Sequence, residues 1–360
     1  MAPIRNREVR AYSPPIVQPL YWLMAIRLGQ LSWEFDGDVA YADGSGMIVP
    51  VQGSQRGVSA ISFPEAAEPL DRERCGEFET SHVLHCGDAR RLDWVSDESI
   101  HLIVTSPPYW TLKRYNERIG QLGAVADYEE FMDELDKVWR HCFRVLVPGG
   151  RIVCVVGDVC LARRRNRGRH LVMPLHADIA VRTRRVGFDY LTPILWHKIA
   201  NASYEVENGS SFLGKPYEPN AIIKNDIEYV LMLRKPGGYR QPTDSQRERS
   251  KLAKDEHARW FRSFWTDVTG ESTRDHPAPF PVELAYRLVR MFSFVEDTVL
   301  DPFAGTFTTT VAAMKCGRHS IGNELDPEYF KFGVRRVKAA AADLDTFFAR
   351  PPKIEVRSEC

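Results

Sequence analysis

Groups that could hold a flat, amino-bearing substrate occur together at Ser106-Pro107-Pro108-Tyr109. Each proline fixes its own φ and restricts the residue before it, so the backbone here is stiff. It holds the Ser106 hydroxyl, the peptide carbonyls and an aromatic ring in one arrangement. Two acceptors that take both N–H bonds of a conjugated amino group would localise its lone pair, and Tyr109 would stack on a base turned out of a duplex. The alternative is a proline-rich turn after a strand.

A second segment with ligand-binding character is DPFAGTFTTT at 301–310. The pattern predicts a strand, a tight turn at Gly305 and a helix that begins with threonines. Such a turn lets backbone and helix N-terminus approach a ligand closely. Glu324 ends the next predicted strand, and an acidic residue there commonly accepts hydrogen bonds from ribose hydroxyls. The pattern fits a nucleotide site or a plain strand–turn–helix unit.

Hydrophobic periodicity predicts strands that alternate with helices, which indicates an α/β fold with a doubly wound, mainly parallel sheet. Residues 240–275 are charged and have no clear period. The predicted strands are His82–Cys86, Ser99–Val104, Arg151–Val156, Leu191–His197, Glu228–Leu233, Thr298–Leu300 and Ser320–Glu324. The predicted helices are Tyr128–Leu146, Leu171–Val186, Pro281–Phe292, a helix ending at Cys316, and Pro327–Ala342. Both motifs then follow strand ends, where such sheets bind ligands.

TSPPYW at 105–110 and DPFAGTFTT at 301–309 together resemble the amino-methyltransferases of bacterial DNA. The catalytic motif of that family reads D/N/S-P-P-Y/F/W, and its cofactor motif reads D-P-F-x-G-S-G-T-T. The resemblance spans about residues 82–340 and implies a Rossmann-like S-adenosylmethionine-dependent methyltransferase sheet. It implies catalytic roles for Ser106, Pro107, Pro108 and Tyr109. It implies cofactor-binding roles for Asp88, Asp301, Phe303, Gly305, Thr308, Thr309, Glu324, His276 and Pro279.

The catalytic motif precedes the cofactor motif, which resembles the circularly permuted, beta-class arrangement of this family. That arrangement places target recognition between the two motifs. The predicted segments are an N-terminal extension (1–80), a catalytic half (81–199), an inserted target-recognition region (200–270), a cofactor-binding half (271–345) and a C-terminal tail (346–360).

The first letter of the catalytic motif indicates the base. Serine is typical of cytosine-N4 enzymes of this family, and aspartate of adenine-N6 enzymes. A neutral hydroxyl is a weak base, so we expect Ser106 to accept a hydrogen bond and the proton to leave after methyl transfer. Cytosine-C5 chemistry needs a cysteine, usually in a Pro-Cys pair, which the sequence lacks. An adenine-N6 enzyme of the same fold is the alternative. An RNA or protein methyltransferase explains the 200–270 insert less naturally.

Phe307 departs from the family pattern, which has glycine there. A phenylalanine strongly prefers negative φ and carries a large ring. We expect the ring to turn into the apolar face shared with Val311 and Met291. The alternative is that it fills the methionine pocket, which would make the chain a non-catalytic DNA-binding relative.

Charge gives little guidance, because 48 basic residues balance 48 acidic ones. Double-stranded DNA would therefore need a local patch, and we predict that Arg163, Arg164, Arg165 and Lys198 contribute to it. The alternative for the arginines is a solvated loop. A cognate restriction endonuclease is a further conceivable partner, and the oligomeric state is open.

The seven cysteines form no CxxC pair and no Cys/His cluster of zinc spacing, which favours a reducing compartment and no metal. No apolar run is long enough to span a membrane. We do not interpret the apolar segment Ile16–Leu28 as a signal peptide, because polar residues interrupt it. We expect a cytoplasmic location.

Overall fold

The computed structural model describes residues 79–110, 120–161, 163–198, 219, 223, 225–270, 281–345 and 351–358. These residues belong to one compact unit. The N-terminal extension up to residue 78, the segment Ile16–Leu28, and the predicted cofactor residues His276 and Pro279 lie outside the described residues.

The described chain alternates strands and helices. The strands are β1 (Ser81–Cys86), β2 (Ile100–Thr105), β3 (Leu146–Val156), β4 (Val159–Leu161), β5 (Leu171–Met173), β6 (Asp189–His197), β7 (Ile227–Arg234), β8 (Phe264–Trp265), β9 (Thr298–Asp301), β10 (His319–Glu324) and β11 (Lys353–Ser358). The α-helices are α1 (Tyr128–Val145), α2 (Leu175–Val186), α3 (Asp244–Arg249), α4 (Lys254–Trp260), α5 (Val282–Phe292), α6 (Thr308–Lys315) and α7 (Pro327–Asp345). None of these helices is long and apolar enough to cross a bilayer.

Nine strands form one sheet in the order β11-β1-β10-β9-β2-β3-β7-β6-β8. Strand β7 is antiparallel to both of its neighbours, β3 and β6. The other pairings in this sheet are parallel, so β7 alone among its strands runs in reverse. The predicted α/β fold with a mainly parallel sheet is confirmed.

The two motifs come together because β9 and β10, from late in the chain, lie between β1 and β2. Strand β9 pairs directly with β2. Chain segments that are far apart in sequence therefore end at the same edge of the sheet. This adjacency is the consequence of the permuted strand order.

Both faces of the sheet are buried, as a doubly wound fold requires. Along β3, Ile152, Cys154 and Val156 pack in one cluster with α1 and α2. Val153 and Val155 alternate with them and pack on the opposite face with α5. Successive side chains of a strand point to opposite faces, so one apolar run supplies both cores.

Three predicted elements differ in the structure. The predicted helix Leu171–Val186 is a short strand followed by a helix that begins at Leu175, because Pro174 disfavours helical backbone at Met173. The segment 240–275 is not irregular throughout: Thr243 and Gln246 form a capping box that starts α3, and α4 follows. The predicted tail contains β11, which extends the sheet beside β1.

The proposed target-recognition region also contains part of the sheet. Strand β7 lies between β3 and β6, so Ile227–Arg234 belongs to the central sheet. Strand β8 (Phe264–Trp265) pairs with β6 in the same sheet, so the described residues of that region outside the sheet are 219, 223, 225–226, 235–263 and 266–270.

Candidate active site

A cleft opens to solvent at the carboxyl ends of β1, β2, β9 and β10. We call it the cleft throughout. It is lined by Gly87, Asp88, Ala89, Ser106, Pro107, Pro108, Tyr109, Gly120, Gln121, Leu122, Pro302, Phe303, Gly305, Asn323, Glu324, Leu325 and Tyr329. Eight predicted site residues are among them: Asp88, Ser106, Pro107, Pro108, Tyr109, Phe303, Gly305 and Glu324.

The catalytic motif directly follows β2. Pro107 and Pro108 are buried, whereas Ser106 is half-buried at the cleft. The Ser106 hydroxyl donates to the Tyr109 hydroxyl over 3.4 Å. The Tyr109 side chain is only 6% exposed, and its hydroxyl donates to Glu228 Oε2 at 3.2 Å. The ring is thus held in place from its polar end, and its stacking on a base stays a prediction.

Lys198, whose contact with DNA stays a prediction, forms an ion pair within the protein. Its ammonium group donates to Glu228 Oε1 at 2.9 Å and lies over the Trp196 ring, 5.4 Å from the ring centre. Sequence reasoning missed Glu228, because an acidic residue at the start of a strand has no motif of its own. The pairing has a physical reason: the Lys198 cation offsets the loss of hydration of the largely buried Glu228 carboxylate.

A buried carboxylate joins the two motifs. Asp301 Oδ1 accepts from the Thr105 hydroxyl at 2.7 Å, and Oδ2 accepts from the Thr309 hydroxyl at 2.7 Å. The Phe303 backbone N–H donates to Oδ1 at 3.1 Å. Burial raises the pKa of Asp301 to about 6, and the hydrogen bonds from Thr309, Thr105 and Phe303 act against this rise.

Three of the predicted cofactor residues lie behind the wall of the cleft, and their contact with a cofactor stays a prediction. Asp301, Thr308 and Thr309 are buried and do not line the cleft. The side chains of Asp301 and Thr309 point into the protein because they bond to each other and to the end of β2. Their hydrogen bonds fix the two motifs relative to each other from within the protein.

Glu324 connects the Gly305 turn to the start of α7. Its Oε2 accepts from the Gly305 N–H at 2.7 Å, and its Oε1 accepts from the Asp326 N–H at 2.9 Å. Gly305 has a φ of 51°, which a side chain would disfavour. Burial raises the pKa of Glu324 to about 7, although the two N–H bonds oppose it. Each carboxylate oxygen still has a second lone pair for a ligand.

Asp88 lines the cleft just after the end of β1, which pairs with β10. Arg90 binds both of its oxygens, with Nε at 3.0 Å from each and Nη2 at 2.6 Å from Oδ2. Although burial acts in the opposite direction, the bonds and the charge of Arg90 lower the pKa of Asp88. Arg90 also donates to the Gly120 carbonyl at 3.2 Å, which ties this wall to Gly120–Leu122. The sequence did not predict that Gly120, Gln121 and Leu122 line the cleft, because no recognised motif includes them.

Phe307 begins α6 with a left-handed backbone, φ 62°, the region that glycine favours. Its ring is 0% exposed and does not line the cleft. It packs edge-on against Phe330, with 5.8 Å between ring centres. Val311 belongs to the same cluster, as expected, but Met291 packs on a different one. The ring therefore turns away from the cleft, as the sequence analysis expects, in the strained conformation.

Helix α7 contributes a cation to the turn after Gly305, although the spacing of its Lys and Arg residues predicts a solvated helix face. Arg336 Nη1 donates to the hydroxyls of Thr306 and Thr308, each at 2.9 Å. A half-buried guanidinium therefore fixes the turn that precedes α6. Periodicity alone could not distinguish this arginine from its exposed neighbours.

The predicted DNA-binding arginines lie on a hairpin at the same edge of the sheet. Strands β4 and β5 pair antiparallel outside the main sheet, and a 3-10 turn over Arg163–Arg165 lies between them. Arg163 and Arg164 are exposed. Strand β4 follows β3 after only Gly157 and Asp158. The hairpin thus begins beside the end of β2, where Thr105 pairs with Cys154.

Comparison with known proteins identifies the class. Residues 100–335 match the model of the N6/N4 DNA methylase family, and the chain belongs to this family. Enzymes of this class take their methyl group from S-adenosyl-L-methionine. The predicted membership among the DNA amino-methyltransferases is thereby confirmed.

Individual relatives agree. The type II methyltransferase M.MjaI of Methanocaldococcus jannaschii is 38% identical over 282 residues, which cover 69% of this chain and 89% of that protein. The type II methyltransferase M.MthZI of Methanothermobacter thermautotrophicus is 33% identical, and the match covers 70% of this chain and 75% of that protein. A Thermus thermophilus protein assigned as a DNA modification methylase, solved in complex with S-adenosyl-L-methionine, is 51% identical. That match covers 78% of this chain and 99% of the other, with a TM-score of 0.63.

We predict that Phe307→Gly unfolds more easily than the natural protein, by about 2–4 kcal/mol in chemical denaturation. Loss of a buried aromatic ring costs about 3–5 kcal/mol, and relief of the left-handed strain returns about 1 kcal/mol. Phe307→Ala is the matched control: it loses the ring but keeps the strain, so it should be about 1 kcal/mol less stable than the glycine variant. Equal stability of Phe307→Gly and the natural protein would contradict the packing described above.

Proposed function

We propose that this protein methylates the N4 amino group of cytosine at specific sites in double-stranded DNA, with S-adenosyl-L-methionine as the donor. The observation that carries the proposal is that Ser106-Pro107-Pro108-Tyr109, Gly305 and Glu324 line one cleft. A donor and an acceptor of the methyl group can thus be held side by side. A role in restriction–modification, beside a cognate endonuclease, is part of the proposal.

The cleft fits the cofactor. Glu324 is a buried carboxylate whose oxygens retain lone pairs for ribose hydroxyls, and the Gly305 turn brings backbone close to a ligand. Asp88, after the end of β1, is held by Arg90, and we place the adenine there. Phe303 also lines the cleft. When bound, S-adenosyl-L-methionine supplies an electrophilic methyl group.

On the base side, Ser106 Oγ and the stiff carbonyls of the proline segment accept the two N–H bonds of the target amino group. Because its lone pair is then withdrawn from the ring, the nitrogen can attack the methyl carbon. The prolines keep these acceptors fixed, so little reorganisation accompanies the reaction. Tyr109 stacks on the extruded base. The surplus proton leaves the nitrogen after transfer.

The choice of cytosine rests on Ser106. A neutral hydroxyl suits an amino group that needs polarisation alone, and aspartate is the residue typical of adenine-N6 enzymes. An adenine-N6 enzyme is the nearest rival. The non-catalytic rival loses its support, because the Phe307 ring lies outside the cleft. Accordingly, Phe307→Gly should change the affinity for S-adenosyl-L-methionine by less than about tenfold.

We propose that DNA lies across this edge of the sheet. The hairpin arginines Arg163, Arg164 and Arg165 contact phosphates, and segments 200–226 and 235–270 recognise the target sequence. This assignment does not use Lys198, whose ammonium group is paired with Glu228.

The base assignment predicts N4-methylcytosine in nuclease digests of DNA from a methylation-free host that expresses the protein, measured by mass spectrometry. Ser106→Ala should lower the initial rate of methyl transfer about tenfold or more through loss of one hydrogen bond to the base. Its cofactor affinity should stay within about twofold. Ser99→Ala, which removes an exposed hydroxyl bound to Ser96, is the control with full activity. A digest that contains N6-methyladenine alone overturns the cytosine assignment.

The ribose assignment predicts a pH effect on cofactor affinity. The pKa of Glu324 is raised to about 7, so the carboxyl is mainly protonated at pH 6 and ionised at pH 8. Ribose hydroxyls donate best to the ionised form, so calorimetry should give about fivefold to tenfold tighter binding at pH 8 than at pH 6. Glu324→Gln should bind more weakly, without this dependence.

Any titration of S-adenosyl-L-methionine itself affects the natural protein and Glu324→Gln equally. The ratio of their two affinities at each pH therefore reports the titration of Glu324 alone. A ratio that is constant from pH 6 to pH 8 would exclude the carboxylate from the ribose site.

The proposed contact between the hairpin arginines and DNA phosphates predicts how DNA affinity depends on salt concentration. Each phosphate contact contributes about −0.9 to the slope of log K against log salt concentration. Replacement of Arg163, Arg164 and Arg165 by glutamine should therefore make the slope shallower by about 2–3. The control replaces three exposed cations elsewhere, Arg335, Lys338 and Lys353, and should leave the slope unchanged. Equal slopes for the hairpin variant and the natural protein would remove the hairpin from the DNA interface.

A further inference from the structure

The Glu228 carboxylate occupies a defined place beside the catalytic motif. It lies near the start of β7, with its side chain 16% exposed. Its two oxygens bind different partners: Oε2 accepts from Tyr109 at 3.2 Å, and Oε1 accepts from Lys198 at 2.9 Å. A carboxylate that is bound at both oxygens has little freedom to rotate.

The neighbouring backbone leaves room for this contact. Gly157 follows β3, and a Cβ placed on it would lie 3.3 Å from Tyr109 Cε1 and 3.4 Å from Glu228 Cγ. The Tyr109 ring and the Glu228 stem thus meet over a position that has no side chain. Larger residues at 157 would press on both, so the pair is also confined sterically.

The other end of the arrangement is anchored in the core. Lys198 lies over Trp196, which is fully buried and donates from its indole to the Val268 carbonyl at 2.9 Å. A continuous set of contacts therefore leads from a core tryptophan through Lys198 and Glu228 to the Tyr109 hydroxyl.

We propose that Glu228 is a positioning residue for methyl transfer: it binds the Tyr109 hydroxyl so that the ring stays in the orientation that stacks on the extruded base. Lys198 holds Glu228 in turn. A tyrosine ring attached only at its Cβ can turn about two torsions, and a bond at the far end of the ring removes that freedom. The inference rests on the proposed function, because it needs Tyr109 to receive the base.

The test compares Glu228→Ala, Glu228→Gln, Tyr109→Phe and the double variant Glu228→Ala/Tyr109→Phe. The readout is the transfer of labelled methyl groups from S-adenosyl-L-methionine to unmethylated plasmid DNA. Glu228→Ala and Tyr109→Phe should each lower kcat about tenfold, while KM for plasmid DNA and calorimetric cofactor affinity stay within about twofold. Both substitutions remove the same hydrogen bond, between Tyr109 and Glu228, so the double variant should be no slower than the slower single variant.

Glu228→Gln keeps an oxygen that accepts from Tyr109, so its kcat should stay within about threefold of the natural value. Glu98→Ala is the matched control, because Glu98 forms a comparable pair with Lys235 at the other end of β7. Its kcat should be unchanged. A merely structural role would instead lower all the kinetic constants together and would not be rescued by glutamine.

The inference is overturned if Glu228→Ala keeps full kcat, if the losses in the double variant multiply, or if glutamine fails to rescue. These outcomes require a natural protein that methylates the plasmid, and they then leave the proposed function intact. A natural protein that transfers no methyl group to plasmid DNA overturns the proposed function, and the role of Glu228 with it.

Discussion

The site depends on one buried carboxylate, Asp301, which accepts hydrogen bonds from the ends of two distant chain segments. Thr105 immediately precedes Ser106, and Thr309 lies in the first turn of α6. The bridge adds to the pairing of β2 with β9 and to the bond from Thr309 to the Val104 carbonyl in fixing the distance between the motifs. The bridge requires a group that burial disfavours in its charged form, as its raised pKa reflects. Some stability is thus exchanged for a fixed distance between the two motifs.

The reversed strand β7 adds a second contribution to the same edge of the sheet. In a parallel strand only the carboxyl end reaches this edge, but an antiparallel strand brings its amino end there. Glu228 consequently lies next to a motif that follows β2, although the two are separated by β3. A single reversed strand thus allows a carboxylate to enter the site from the beginning of an element.

The sequence was sufficient for features that depend on local pattern. Strand periodicity predicted the sheet, and the two motifs together with the family resemblance predicted eight residues that line the cleft. It was insufficient where tertiary contacts decide the outcome. Whether Asp301 faces a ligand or the core, and whether Lys198 faces DNA or Glu228, depends on partners that are remote in sequence. Arg336 and strand β11 were missed for the same reason, because their patterns match a solvated helix face and a tail.

The packing of Phe307 restricts the order in which substitutions can accumulate at three positions. A Cβ on Gly322 would lie 2.6 Å from the Phe307 ring, and one on Gly333 would lie 2.3 Å from it. The aromatic ring is therefore compatible only with a background in which both of these residues lack side chains. Starting from glycine at 307, the two glycines must be in place before the ring arrives, and once it has arrived neither can change alone. The three residues form an epistatic set, so a mutational scan of any one of them describes this background and not the family.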